Sequence, residues 1–289
     1  MPAFLVRQER FAVVDSTNDV VRGWLADGTL EVCLAVADEQ TAGRGRTGRT
    51  WVAPPGAALL LSLGFRPDWL EPEHVWRLAA TVSLAMAEAA EEAAGLPPRA
   101  IRLKWPNDLV VETIGVAVPA SPTAATEVRK LAGVLGETEG LGSGEPRAVV
   151  GIGIDTDWAA SDFPPELATT MTSLRAASSG RRIDHAALLA GFLDRLEART
   201  EALRGGRFDV ADWTDRQLTN GRIVEFVTAD GATRLVKALG VDVRSGALIV
   251  DDPDDPSGER SWLVGEIGHV RVAADPDGAL AGLPGLVEV

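Results

Sequence analysis

The stretch Gly43-Arg44-Gly45-Arg46-Thr47-Gly48-Arg49-Thr50-Trp51 interleaves glycine with three arginines and closes on a tryptophan. Glycine accepts positive φ and lets backbone approach a ligand closely, and the guanidinium is a planar, multidentate donor for carboxylate or phosphate. The same residue types also make solvated surface loops. Charge context separates the two readings: the chain carries a formal net charge of -14 at pH 7, so this run is a local reversal of sign. The expected element is a flexible loop that closes over a small anionic partner.

Working outward, Glu31 to Ala37 is apolar and β-branched enough for a buried strand, and Ala58 to Phe65 reads as another, ended by Arg66-Pro67. The arginine loop therefore hangs between two strands. Upstream, Asp15-Ser16-Thr17-Asn18 precedes Val20, Val21, Trp24 and Leu25, so capping residues stand before apolar positions at helical spacing. Downstream, Pro72 to Ala94 keeps a period near 3.6 and is followed by Gly95, which predicts a long packing helix.

The strand Ile101 to Lys104 runs into Trp105-Pro106-Asn107-Asp108 before Leu109-Val110-Val111 resumes the apolar pattern. These polar residues either form a turn or carry Lys104, Asn107 and Asp108 into the pocket of the arginine loop. Residues 112–129 are poor in charge and large side chains and read as a mobile insertion. Lys130 to Glu137 and Ala148 to Asp155 are buried strands joined by a hairpin loop over Gly140 to Pro146. Asp184 caps a helix that ends at Gly205-Gly206, and Phe208 to Leu218 adds a shorter one. From Asn220 onward, five short apolar segments separated by turns predict a small antiparallel barrel of SH3-like size. The expected organisation is α+β, with a larger domain over 1–219 and a barrel over 220–289.

Several classes are excluded. The acidic balance argues against the phosphate backbone of nucleic acid as partner. One cysteine, Cys33, cannot make an internal disulfide, and MPAFLVRQER lacks the plan of a secretory signal, so the expected location is the cytoplasm. Cys33 lies in an apolar run and reads as core filler. No apolar run approaches the roughly 18 to 20 residues of a membrane span. None of the histidines has metal-ligand spacing to a partner, no Ser-His-acid order stands out, and there is neither a Walker loop nor a strand-linked G-x-G-x-x-G. No protein-held metal is expected.

Ser16-Thr17-Asn18, the Gly43 to Trp51 loop, Lys104 to Asp108, Lys130-Leu131-Ala132-Gly133 and Gly151-Ile152-Gly153-Ile154 together resemble the biotin protein ligases in order and rough spacing. Gly265-Glu266-Ile267 is similar to that family's C-terminal domain. The resemblance implies a mixed sheet flanked by helices, like the class II aminoacyl-tRNA synthetase catalytic fold, with the small barrel appended. It implies two steps. Biotin carboxylate attacks the α-phosphate of ATP, Mg²⁺ accompanying, and then a lysine of a biotin carboxyl carrier domain attacks the biotinyl-adenylate.

By the same resemblance Ser16, Thr17, Asn18 and Gln40 line the biotin pocket, with Arg44, Gly45, Arg46, Lys130 and Gly133 completing it. Arg46, Arg49, Trp51, Asn107 and Lys130 hold the nucleotide. Lys130, Arg46 and Arg44 carry the catalytic charge, Lys130 bridging the biotin carboxyl and the α-phosphate. The role of Lys104 stays open, and Asp108 either holds Mg²⁺ or braces the arginines. Asp155 stands where the family commonly has asparagine, which leaves its adenine contact open. Two further departures are the long 112–129 insertion and the lack of an N-terminal winged helix, so no repressor activity is expected. A lipoate or octanoate ligase or transferase of the same fold, and a non-catalytic biotinyl-adenylate-binding regulator, are the alternatives.

Overall fold

In the computed structural model, residues 2–114, 126–228, 231–252, 255–263 and 267–272 are described. Strand β1 (Arg7–Val14) runs parallel to β2 (Cys33–Gln40), and helix α1 (Thr17–Ala26) connects them. Among the described residues every other pairing between named strands is antiparallel. With β3 (Ala58–Phe65), β4 (Ile101–Lys104), β5 (Asp108–Ile114), β6 (Thr126–Glu139) and β7 (Arg147–Asp155), the strands form one mixed sheet in the order β1-β2-β3-β7-β6-β5-β4.

Side chains alternate across a strand, so each strand feeds two faces. On β3 and β7, Leu59, Leu61, Leu63, Val150 and Ile152 share the core with helix α2 (Trp76–Ala94). The opposite set, with Ser62, Gly64, Gly151, Gly153 and Asp155, is mostly small or polar apart from Leu60 and Val149, and α1 covers part of it through Val21, Trp24 and Leu25. Helix α2 stops at Gly95, whose φ of 64° lets its N–H and that of Leu96 return to the last turn.

After the short helix α3 (Leu174–Ala177), helix α4 (His185–Arg204) packs on α2, its start capped by the Asp184 carboxylate from Ala186 and Ala187 N–H. Helix α5 (Val210–Asp215) leads into Arg216, whose buried guanidinium pairs with Glu91 of α2 at 2.8 Å.

The terminal strands β8 (Ile223–Thr228), β9 (Thr233–Val241), β10 (Leu248–Asp251), β11 (Glu259–Trp262) and β12 (Ile267–Val272) form a five-stranded antiparallel sheet in the order β11-β10-β9-β8-β12. It docks through Gly246: Trp105 Nε1–H donates to the Gly246 carbonyl at 2.9 Å, and Trp76 packs so closely that a Cβ there would lie 2.8 Å from its ring. Trp105 is therefore an anchor between the two sheets.

One expectation changes. Part of the 112–129 stretch is strand, since β5 continues to Ile114 and β6 begins at Thr126, because antiparallel pairing supplies the backbone partners that apolar patterning did not announce. Residues 115–125, and Gly265-Glu266, lie outside the described residues.

Candidate active site

The arginine loop is more ordered than its glycine content suggests. Thr41 and Ala42 N–H bond back to Val14 and Asp15, Trp51 N–H to Gly43 O at 2.9 Å, and Gly45 N–H to Arg49 O at 2.7 Å. Arg44 and Thr50 form an antiparallel bridge. The stretch is thus a pinched hairpin with Arg46, Thr47 and Gly48 at its tip, and Gly43 is needed where a Cβ would sit 2.6 Å from Trp51 O. Short backbone bonds thus organise the neck of the expected loop. A recess of about 800 Å³ lies beneath it, floored by Leu135 and Glu137 of β6.

The hairpin turns Trp51 inward onto the glycines of the open face. A Cβ at Gly153 would be 2.6 Å from the indole, and one at Gly133 would be 3.1 Å from both the indole and Lys130 Nζ. Gly133 and Gly153 are direct partners across β6 and β7, so their missing side chains together make room for the Trp51 ring and the end of Lys130. Lys130 Nζ stands 5.5 Å from the Trp51 ring, within cation–π range. The Trp51 indole N–H is buried without a hydrogen-bond partner.

Lys130, Lys104 and Asp108 meet through sheet register. Asp108 of β5 pairs with Lys104 of β4 and Gly133 of β6, and a bulge at Leu131 brings Lys130 to the same side. Asp108 Oδ1 lies 2.7 Å from Lys130 Nζ and Oδ2 lies 2.9 Å from Lys104 Nζ. Burial alone would raise this carboxyl, but the two ammonium groups outweigh it and hold Asp108 below the usual carboxylate range. In this structure the Asp108 carboxylate braces two lysines, Lys130 and Lys104. Arg46 is half-buried nearby, its guanidinium drawn down by burial and supported by Asp108, and it stays charged. Asn107 Nδ2 donates to Val134 O at 2.8 Å and ties the turn to β6.

A second cluster sits one glycine away. Ser16 is the N-cap of α1 by conformation, yet its hydroxyl makes no cap bond. Gln40 Oε1 accepts from Thr17 N–H at 2.8 Å and from the Thr17 hydroxyl at 3.0 Å. Ser62 Oγ is 2.7 Å from Thr17 Oγ1 and 2.6 Å from Asn18 Oδ1, and its single proton serves one of them at a time. Asn18 Nδ2 donates to Glu137 at 2.6 Å. A Cβ at Gly151 would fall on Asn18 Oδ1, so this glycine makes room for the asparagine as Gly153 does for Trp51.

Arg44 leans outward, pairing with Asp19 at 2.5 Å and with Glu137 at 3.3 Å; the Asp19 bond raises its pKa and correspondingly lowers that of Asp19. Arg49 lies in the outer arm of the hairpin, and Gly45 in its pinched neck. Asp155 is 2% exposed at the end of β7 beside Lys130, and burial pushes its carboxyl up to about 8. Cys33 is fully buried and its thiol is pushed up to about 11, as filler should be.

The structure thus gathers Thr17, Asn18, Gln40, Lys104, Asn107, Asp108, Lys130, Gly133, Trp51 and Arg46 along one face. It also adds Ser62 and Glu137, which sequence reasoning passed over. Ser62 had a signal, since it is the lone polar residue within Ala58 to Phe65. Among the described residues no cluster of three or more His, Cys, Asp or Glu could hold a metal, and both Asp108 oxygens are engaged by lysines.

Residues 10–157 match the model of the biotin/lipoate A/B protein ligase family. The bifunctional ligase/repressor BirA of Bacillus spizizenii is 30% identical over 241 residues, covering 83% of this chain and 67% of that protein. The biotin--[acetyl-CoA-carboxylase] ligase of Mycobacterium tuberculosis is 29% identical over 265 residues, 90% of this chain and 88% of its own length. In fold, the biotin protein ligase from Aquifex aeolicus in complex with biotin and ATP superposes with a TM-score of 0.71 at 24% identity, over 93% of this chain and 100% of the other. This chain belongs to the biotin/lipoate A/B protein ligase family.

Proposed function

We infer that the chain is an ATP-dependent ligase that activates biotin as biotinyl-5'-AMP and transfers it to a lysine of a biotin carboxyl carrier domain of a carboxylase. The observation that carries this reading is Lys130: an ammonium held by a buried carboxylate at 2.7 Å, beside Gly133, between a neutral polar pocket and an arginine hairpin. Kinship with named biotin–carboxylase ligases supports the substrate.

The polar cluster of Thr17, Asn18, Gln40 and Ser62 offers hydroxyls and amides that match the donors and acceptor of a ureido ring, and Ser16 keeps its hydroxyl free of the helix cap. In the first step a biotin carboxylate oxygen attacks the α-phosphorus, and the bond to the β-phosphate oxygen breaks, releasing pyrophosphate. Two anions must approach, and Lys130 and Arg46 offset that repulsion inside a site from which water is excluded. In the second step the neutral amine of the acceptor lysine attacks the acyl carbon, AMP leaves with the bonding pair, and the amine loses its extra proton. Arg44, Gly45 and Gly133 line the biotin side; Arg49, Trp51 and Asn107 serve the nucleotide, with Trp51 as the seal. Mg²⁺ has no protein-only site among the described residues and is taken to enter with the triphosphate.

We place the domain boundary at 219/220 and the protein in the cytoplasm, without a nucleic-acid partner, in keeping with the net charge of -14. Among the described residues no helix is long and apolar enough to cross a membrane. The test is biotin-dependent exchange of pyrophosphate into ATP. The folded protein should catalyse it, and Lys130→Ala should slow it about a hundredfold or more with little change in thermal midpoint. Exchange supported by lipoate and not by biotin would overturn the substrate assignment, and unchanged exchange in Lys130→Ala would overturn the role of Lys130.

A further inference from the structure

The neutral side chains of the polar pocket leave their own hydrogen-bond directions undecided. Ser62 is fully buried with a single hydroxyl proton, and its oxygen lies 2.6 Å from Asn18 Oδ1 and 2.7 Å from Thr17 Oγ1. At the far end Gln40 is set by backbone, because its Oε1 accepts from Thr17 N–H at 2.8 Å and takes the Thr17 hydroxyl proton at 3.0 Å. Two arrangements then satisfy the four side chains. In one, Asn18 turns its oxygen to Ser62 and receives the hydroxyl proton, which leaves both lone pairs of Thr17 Oγ1 open. In the other the amide is reversed, its nitrogen donates to Ser62, and the Ser62 proton goes to Thr17.

A charged group beside the pocket selects between them. Glu137 Oε2 accepts from Asn18 Nδ2 at 2.6 Å. A carboxylate only accepts, so it keeps the amide nitrogen on its own side and the amide oxygen on Ser62. The carboxylate is held in turn: Arg22 Nη2 lies 2.7 Å and Arg44 Nη2 3.3 Å from the same oxygen. Both arginines also pair with Asp19 and keep that partner without Glu137. Asn18 is 5% exposed and packed against Gly151, and Glu137 is the acceptor that the fold gives its nitrogen.

We propose that Glu137 is a positioning residue for biotin. By holding the Asn18 nitrogen it directs the Ser62 proton to Asn18 and leaves Thr17 Oγ1 as an acceptor for an N–H of the ureido ring. The reversed arrangement would spend a Thr17 lone pair within the protein. This rests on the reading of the chain as a biotin ligase. Glu137 acts through Asn18 and needs no contact with the substrate.

The test is calorimetric binding of biotin to the full chain, with pyrophosphate exchange measured alongside. The Glu137 side chain keeps 30% exposure, so Glu137→Ala is expected to fold. It should weaken biotin binding about tenfold. In exchange, KM for biotin should rise by about the same factor, while kcat and KM for ATP stay within about twofold of native. Glu137→Gln can turn its amide oxygen to the same three donors and should stay within about threefold of native affinity. Asn18→Ala should cost about tenfold in the native chain and under about threefold in the Glu137→Ala background, because the two side chains act as a unit. Native affinity in Glu137→Ala, equal rises in both Michaelis constants, or independent effects of the two alanine substitutions overturn the proposal and leave the ligase reading standing. A loss in Glu137→Gln as large as in Glu137→Ala assigns the effect to charge and overturns it too. A native chain that binds no biotin overturns both.

Discussion

Neighbouring residues on β3 and β7 meet opposite surroundings. Leu59, Leu61, Leu63, Val150 and Ile152 fill the side toward α2, whereas Ser62, Gly151, Gly153 and Asp155 leave the other side hollow and polar. The backbone ladder is the same for both. What differs is the side chain at every second position, so one face contributes apolar burial and the other gives some of it up to hold a ligand. The open face also carries the groups that cost stability when no ligand is bound, including an unpartnered indole N–H on Trp51 and the sealed carboxyl of Asp155.

Three substitutions probe this contrast. Leu61→Ala strikes the packed face at a residue 1% exposed and should remove about 3 kcal/mol of stability. Urea unfolding checks this, and the turnover of the remaining folded enzyme should be that of the native chain. A loss below about 1 kcal/mol would mean that this face is not the stabilising one.

Asp155→Asn should act in the other direction. Its carboxyl titrates near 8 in the folded chain, above the ordinary value of 3.8, so between those values the folded chain holds a proton that the unfolded chain has lost. Stability from this group is complete below the lower value and is lost as pH rises through the upper one. The asparagine variant should therefore match the native chain near pH 4 and exceed it by about 2 kcal/mol near pH 8, allowing for relaxation around the ionised form. Unfolding curves at the two pH values measure the difference, and an equal gap at both would sink the assignment.

Gly153→Ala should have the smallest effect on stability, about 1 kcal/mol, because the atoms it meets belong to one side chain and not to backbone. The added Cβ nonetheless starts 2.6 Å from the Trp51 ring, so biotin-dependent kcat/KM should fall about tenfold. A variant with native kinetics would show that the close seating of Trp51 on Gly153 plays no part in turnover.

Much of this was legible in the chain. Helix α1 begins behind Ser16, β3 spans the expected Ala58 to Phe65, and Asp184 caps α4, because capping and apolar periodicity are local signals. The glycines of Gly151-Ile152-Gly153-Ile154 were visible as a motif, but their reasons were not. One makes room for Asn18, more than a hundred residues earlier in the chain, and the other for Trp51. Glu137 looked like the end of a buried strand, and only the fold brings it to Asn18 and Arg44.

The sequence by itself determined the α+β class, the two strands flanking the arginine hairpin, and the concentration of arginine and glycine in that hairpin. Tertiary structure alone decided that Asp108 divides its oxygens between two lysines, that Ser62 joins the polar pocket, and that Asp155 is sealed beside Lys130. Residue type and spacing encode local conformation and intrinsic chemistry. Burial and pairing depend on strand register between distant segments, and these set the protonation and orientation of each charged group.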